Sequence, residues 1–330
     1  MESTVDPVPI LRQVGCVQSL PSHPSSSRPV VWLDQSQFDA FAAAGTNAHR
    51  LGSSSGGWAE RLAEDVLLSY KSESTLADLL TGMEAYCATS GWNPARVFTR
   101  FMPTQNADRV SPELRSGDAT LPLTTTVTET RIRYGLDFGA GYSHGLFLDQ
   151  RLNRAKIQAL RPKRLLNTFA YTCSFSVVAA QVGAETLSVD LSRKSLERGK
   201  QNLALNDLPA AGHRFVVDDT LELLPKLATR GERFDAIILD PPTFSRSANG
   251  RRWQAEHDYE ELINGAIDVA ATKCAVLLST NCTKLDVMAL EKMARLCIKT
   301  KRRAADYLKL GTPIDFPPGH GASALWMMVR

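Results

Sequence analysis

From Arg164 to Cys297 the chain repeats one pattern five times: a short apolar run of strand length, then a longer stretch with apolar residues at helical spacing. The runs are Arg164–Phe169, Thr186–Val189, Arg214–Val217, Phe234–Leu239 and Ala275–Ser279. Between and after them lie Phe175 to Val182, a segment from the N-cap candidate Ser192 to Asn206, the triplet Leu221, Leu224 and Leu227, the face Leu262, Ile263, Ala266, Ile267 and Ala270, and the face Val287, Leu290, Ala294 and Cys297. Such alternation predicts a parallel sheet covered by helices on both faces, and right-handed crossovers make it a doubly wound α/β fold. Ligands bind beyond the carboxyl ends of strands in these sheets. The residues that follow each run are therefore the ones to search for chemistry.

The rest of the 330 residues is less regular. Residues 1–29 carry five prolines and Ser25-Ser26-Ser27, and read as a disordered tail. Residues 30–123 read as a small α/β domain, with strands at Val30–Trp32, Val66–Leu68 and Ala95–Phe98 and a helix through Leu76, Leu79, Leu80, Met83 and Tyr86. The run from Pro103 to Pro122 reads as loop. A hairpin at 126–134 opens the second domain, 124–330. No apolar run reaches 18 residues, so no transmembrane helix is expected, and the N-terminal apolar stretch is too broken for a signal peptide. A net charge of +3 does not by itself point to nucleic acid. The six cysteines are scattered without a CxxC pair, which suits a reducing compartment such as the cytoplasm, with organelle targeting left open. The histidines form no cluster either, so no metal is expected.

Three acids stand after consecutive strands. Asp190 can accept both ribose hydroxyls of an adenosine cofactor, Asp218-Asp219 can reach an adenine amino group, and Asp240 follows the fourth strand. Each also reads, singly, as a helix-capping acid. A nicotinamide site would show GxGxxG after the first strand. Here the loop is Ala170-Tyr171-Thr172-Cys173-Ser174-Phe175, without glycine. A cofactor without a pyrophosphate, S-adenosyl-L-methionine, fits this loop better.

The stretches GLFLDQRLNR (145–154), LLNTFAYTCSFS (165–176), SVDLSRKSLERGKQNLALN (188–206), FVVDDTLELL (215–224), ILDPPTFS (238–245), LLSTNCT (277–283) and DFPP (315–318) resemble a known family. They look like a class I SAM-dependent methyltransferase with a Rossmann-like sheet, of the large-subunit rRNA methyltransferase I family. Cys173 stands where that family has glycine, and residues 1–29 are too short for its RNA-binding PUA domain. The resemblance implies S-adenosyl-L-methionine as cofactor and RNA, ribosomal above all, as partner. It implies cofactor contacts from Asp149, Gln150, Arg151, Phe169, Tyr171, Thr172, Asp190, Asp218 and Asp219. An Arg can pair with the cofactor's carboxylate. The alternative for 149–151 is a salt-bridge cluster, and for Phe169 and Tyr171 plain core packing.

Asp240-Pro241-Pro242-Thr243-Phe244 forms a stiff turn whose prolines lack donors and leave carbonyls to face a planar base, with Phe244 placed to stack on it. Such a turn serves amino-group methylation as well. Cys282, just past the fifth strand, aligns with the cysteine of the family's Ser-Cys-Ser segment. A thiolate there can add to carbon 6 of cytosine and make carbon 5 nucleophilic. The alternatives are a buried inert thiol, purine-nitrogen methylation through the Asp-Pro-Pro turn, and a non-catalytic RNA-binding or assembly protein. Arg246, Arg251 and Arg252, and Lys299, Lys301, Arg302 and Arg303, are candidates for holding the RNA backbone.

Overall fold

The computed structural model describes residues 29–103, 109–246, 250 and 252–330. The tail before residue 29, Cys16 and Arg251 lie outside the described residues. Contacts divide the chain into two units. One ends at Val127 and takes in Asp137–His144; the other holds Thr128–Leu136 and Gly145–Arg330. The division is thus not a single cut at residue 124. Phe138 stacks on Phe98 with ring centroids 4.0 Å apart, and Arg100 donates to Tyr142 O at 3.0 Å, which ties 137–144 to the first unit.

The first unit is a six-stranded sheet in chain order: β1 (Val31–Trp32), β2 (Ala48–Ser53), β3 (Gly57–Leu62), β4 (Asp65–Tyr70), β5 (Arg96–Phe101) and β6 (Glu113–Gly117). Helix α1 (Gln35–Ala43) starts with a capping box between Asp34 and Gln37. Helix α2 (Glu73–Ser90) is capped by Ser72 and stopped by Gly91 at φ 71°, and makes the one parallel crossover, β4 to β5. Its Leu76, Leu79, Met83 and Tyr86 pack on Leu51, Ala59, Val66, Leu68 and Val97. β6 corrects the loop reading of 103–122: Leu114 and Ser116 pair with Phe98 and Val97 as an edge strand.

β7 (Thr124–Glu129) and β8 (Ile132–Asp137) form a hairpin turned by Thr130 and Arg131, both at positive φ. The second unit then runs α3 (Arg151–Leu160), β9 (Arg164–Thr168), α4 (Ser174–Gln181), β10 (Glu185–Asp190), α5 (Arg193–Leu205), β11 (His213–Val217), α6 (Thr220–Thr229) and β12 (Phe234–Leu239). It continues with a small hairpin of β13 (Phe244–Arg246) and β14 (Arg252–Gln254), then α7 (Ala255–Val269), β15 (Ala270–Thr280), α8 (Val287–Thr300), β16 (Ala305–Leu308) and β17 (Ser323–Val329).

The seven-stranded sheet has the order β11-β10-β9-β12-β15-β17-β16. Its first five strands are parallel and doubly wound, as the alternation required. The last two bring antiparallel pairing that the repeat did not announce. Leu166, Ile237, Leu239, Val276 and Leu278 are buried at its centre, which is why these strands read as unbroken apolar runs. The strand order reverses between β9 and β12. There the register sets Thr168 beside Val189 and Leu239, and Leu239 beside Leu278. Phe169, Asp190, Asp240 and Ser279 therefore leave the sheet at one level.

Candidate active site

The loop after β9 is built from unusual backbone. Phe169, Tyr171 and Cys173 all have positive φ, at 52°, 48° and 59°. A side chain at such a position costs about 1–3 kcal/mol. Cys173 meets that cost by turning away from the site. It is fully buried, packs with Ala170, Leu196 and Phe215, and its thiol is pushed up to about 12 by burial. Gly199 on α5 makes the room, since a Cβ there would overlap Cys173 Sγ and stand 2.9 Å from its Cβ. The loop thus keeps the course that glycine would allow. Gly199→Ala is expected to lower stability by about 1–3 kcal/mol. Cys173→Gly in the same chain should restore most of that loss in urea unfolding; simple additivity would show that the two do not compete for space.

Asp190 accepts from Tyr171 N and Ser192 N, each at 2.8 Å, one on each carboxylate oxygen. Burial raises its pKa, against the pull of those two amides. Each oxygen keeps a lone pair for a hydroxyl donor. Asp190 lines a cleft with Phe169, Asp218, Asp219, Leu221, Ser245 and Trp253. Asp218 pairs with Lys226 at 3.1 Å. Asp219 lines the same cleft and also caps α6 by accepting from Leu221 N at 2.9 Å. Thr172 is buried and donates to Gly145 O. Tyr171 packs against Phe147, ring centroids 5.5 Å apart. Apolar walls with carboxylates at the rim have the chemistry that suits an adenosine.

On the other side of the switch point, Asp240 accepts from Gln150 Nε2 at 3.1 Å, and Gln150 Nε2 also reaches Ser279 Oγ at 2.8 Å. The chain continues inward from Gln150 Oε1 to Asn153 Nδ2 (2.7 Å) and from Asn153 Oδ1 to Trp326 Nε1 (2.9 Å). Burial, helped by the nearby Asp149 charge, raises the Asp240 carboxyl to about 6, while the bonds from Ser279 and Gln150 and the Arg154 charge oppose the rise. Tyr259 on α7 holds both strand ends, its hydroxyl 3.0 Å from Leu239 O and 2.8 Å from Ser279 O. Pro241 is buried; Phe244 is 55% exposed at the start of β13. Pro242 O is not left for a base: it accepts from Trp253 Nε1 at 2.7 Å.

Asp149 accepts from Ala322 N at 2.9 Å. Arg151 lies in a buried cluster, 3.3 Å from Glu129 Oε2 and 2.6 Å from Asp315 Oδ1, while Arg154 grips both oxygens of Glu129 at 2.6 and 2.7 Å. This is the salt-bridge arrangement, and it joins Arg151 of the GLFLDQRLNR stretch to Asp315 of the DFPP stretch. Cys282 is 4% exposed within the apolar core. Its Sγ stands 4.0 Å from Glu256 Oε1, and Glu256 pairs with Lys284 at 3.1 Å. Lys299, Lys301, Arg302 and Arg303 sit where α8 ends, beside the amino end of β15 and away from the site. There Lys301 pairs with Asp268, and Arg303 holds Ala270, Ala271 and Thr272 carbonyls. Sequence reading missed Trp253, Tyr259, Glu129, Asn153 and Glu256. Only the Trp-Gln-Ala-Glu-His-Asp-Tyr run, polar and aromatic after an Asp-Pro-Pro turn, offered a hint of the first two.

A doubly wound sheet with an acid-rimmed adenosine cleft after β9 and β10, and an Asp-Pro-Pro turn after β12, defines a class I methyltransferase. The S-adenosylmethionine-dependent methyltransferase family matches residues 64–308, and the chain belongs to it. Its cofactor is S-adenosyl-L-methionine. The ribosomal RNA large subunit methyltransferase K of Neisseria meningitidis serogroup B is 30% identical over 250 residues, 74% of this chain and 66% of that one. The ribosomal RNA large subunit methyltransferase K/L of Psychrobacter arcticus is 41% identical over 148 residues, 43% of this chain and 19% of that one. The chain thus spans less than two thirds of these curated relatives. The crystal structure of SMU.776 with S-adenosylhomocysteine shares the fold, with TM-score 0.76, 24% identity, and coverage of 90% of this chain and 79% of that one. Among the described residues no helix is long and apolar enough to cross a membrane, and no group of three potential ligands could hold a metal.

Proposed function

We propose that the chain methylates a base of large-subunit ribosomal RNA in the cytoplasm, at carbon 5 of a cytosine, with Cys282 as nucleophile. The observation that carries the reading is the placing of Cys282 just past β15 and Asp240 just past β12, on adjacent strands held by Tyr259. The names of the relatives, ribosomal RNA large subunit methyltransferases, support the RNA class. S-adenosyl-L-methionine supplies an electrophilic methyl group. Phe169, Asp190 and Asp218 would hold its adenosine, and Asp149, Tyr171 and Thr172 would border its other end. Cys282 gives its thiol proton to Glu256, whose Oε1 stands 4.0 Å away, and the thiolate Sγ bonds to carbon 6 while the carbon 5–carbon 6 π pair shifts to carbon 5, which becomes nucleophilic. After carbon 5 is methylated its proton leaves to a base and the carbon–sulfur bond breaks. Asp240 holds the pyrimidine edge, with Phe244 stacked on it. A paired target must be flipped out or offered in a loop.

A second reading is methylation of a purine nitrogen. The burial of Cys282 in the apolar core favours it, as does the raised Asp240 carboxyl beside the proline turn. The two diverge in one experiment. Under the first, Cys282→Ala abolishes transfer to rRNA and the trapping of 5-fluorocytidine RNA as a covalent adduct. Full activity of that variant, with a methylated purine in the nucleoside digest, sinks the first and supports the second. Unchanged rRNA nucleosides in cells with and without the gene would count against both. RNA affinity should fall steeply with salt.

A further inference from the structure

Trp253 is 6% exposed and touches both halves of the site at once. Its ring lines the adenosine cleft, 5.8 Å from the Phe169 ring. Its indole N–H donates to Pro242 O at 2.7 Å, on the turn that carries Asp240. It sits on β14 opposite Ser245 of β13, which lines the same cleft, and Ala255 N closes the hairpin on Thr243 O at 3.2 Å. One wall of the cofactor cleft is therefore the same piece of chain that fixes the reacting turn.

We propose that Trp253 is a positioning residue that couples occupancy of the adenosine cleft to the placing of the Asp-Pro-Pro turn. An adenosine in the cleft packs against the indole from one side. The indole cannot move away without breaking its bond to Pro242 O, so a filled cleft holds Asp240 and Pro241 in place. The inference rests on membership of the methyltransferase family, and stands whichever base is methylated.

Trp253→Phe keeps a ring in the wall and removes the N–H. It should bind S-adenosylhomocysteine within about threefold of wild type by calorimetry, yet lower kcat about tenfold on whichever RNA the wild type methylates, the scale of one hydrogen bond. Trp253→Leu should weaken both. Tryptophan fluorescence gives a readout apart from activity: the change on titrating S-adenosylhomocysteine should be large in wild type and mostly lost in Trp253→Phe, although four other tryptophans remain. An unchanged kcat in Trp253→Phe, or an undiminished fluorescence response, overturns the proposal. If the variant does not fold, 5-fluorotryptophan in the wild-type chain replaces it. One of the five fluorine resonances must shift on adding S-adenosylhomocysteine, and five static resonances refute the coupling.

Discussion

Asp240→Asn should lower methyl transfer about 100- to 1000-fold while S-adenosylhomocysteine affinity stays within about threefold, because the side chain faces the reacting turn rather than the adenosine cleft. The amide keeps the shape and can still accept from Gln150, so the loss isolates the charge. With its carboxyl raised to about 6, wild-type kcat should climb as pH passes through about 6 and then level off. In Asp240→Asn that limb should be missing. A variant that retains the limb assigns it to another group. Stability moves the other way. A carboxyl held above its ordinary value binds a proton that the unfolded chain has already lost, so wild-type stability falls as pH rises from about 4 to 6. The penalty is then constant, at about 3 kcal/mol by the usual conversion. Urea unfolding of wild type and Asp240→Asn across that window should show the difference growing with pH and then flat.

Glu129→Ala should cost about 3–5 kcal/mol, the typical effect of removing one partner from a buried charge cluster. The two carboxylate oxygens of Glu129 hold Arg154 in a two-pronged grip and also face Arg151, and all three side chains are nearly sealed from water. Without Glu129, Arg154 loses both of its carboxylate bonds while staying buried, and Arg151 keeps its pairing with Asp315. Gln150 lies next in the chain to Arg151, so loss of the cluster should also loosen the hold on Asp240. The expected signature is a melting temperature lower by roughly 10 °C together with reduced kcat. A shift of less than about 2 °C would mean that the cluster contributes specificity without stability.

The doubly wound core was legible because its strands are buried on both faces and read as plain apolar runs, and because Ser192 and Asp219 cap helices directly after strands. β2 and β3 were hidden because their buried residues include His49, Arg50 and Glu60; Arg50 and Glu60 stand 3.7 Å apart. A period-two pattern of apolar residues cannot reveal a strand whose inward side chains are charged. At the site, the acids after the strands could be found by position. The hydrogen bond from Trp253 to Pro242, the Tyr259 bridge and the Gln150–Asn153–Trp326 chain could not, because each joins residues whose nearness is set only by tertiary packing. Arg151 illustrates the limit: an arginine beside a cofactor motif suggests a carboxylate ligand, and the carboxylates it meets are Glu129 and Asp315 of its own chain.

The interleaving of the two units has a consequence for synthesis on the ribosome. The first unit lacks Phe138 and the Tyr142 carbonyl that Arg100 holds until residue 144 has left the exit tunnel, by which time the hairpin of β7 and β8 is also present. Neither unit corresponds to one uninterrupted segment, so the chain cannot complete one and then begin the other. A gene fragment ending at residue 124, or a protease nick in 137–144, should leave the first unit unfinished rather than release it whole.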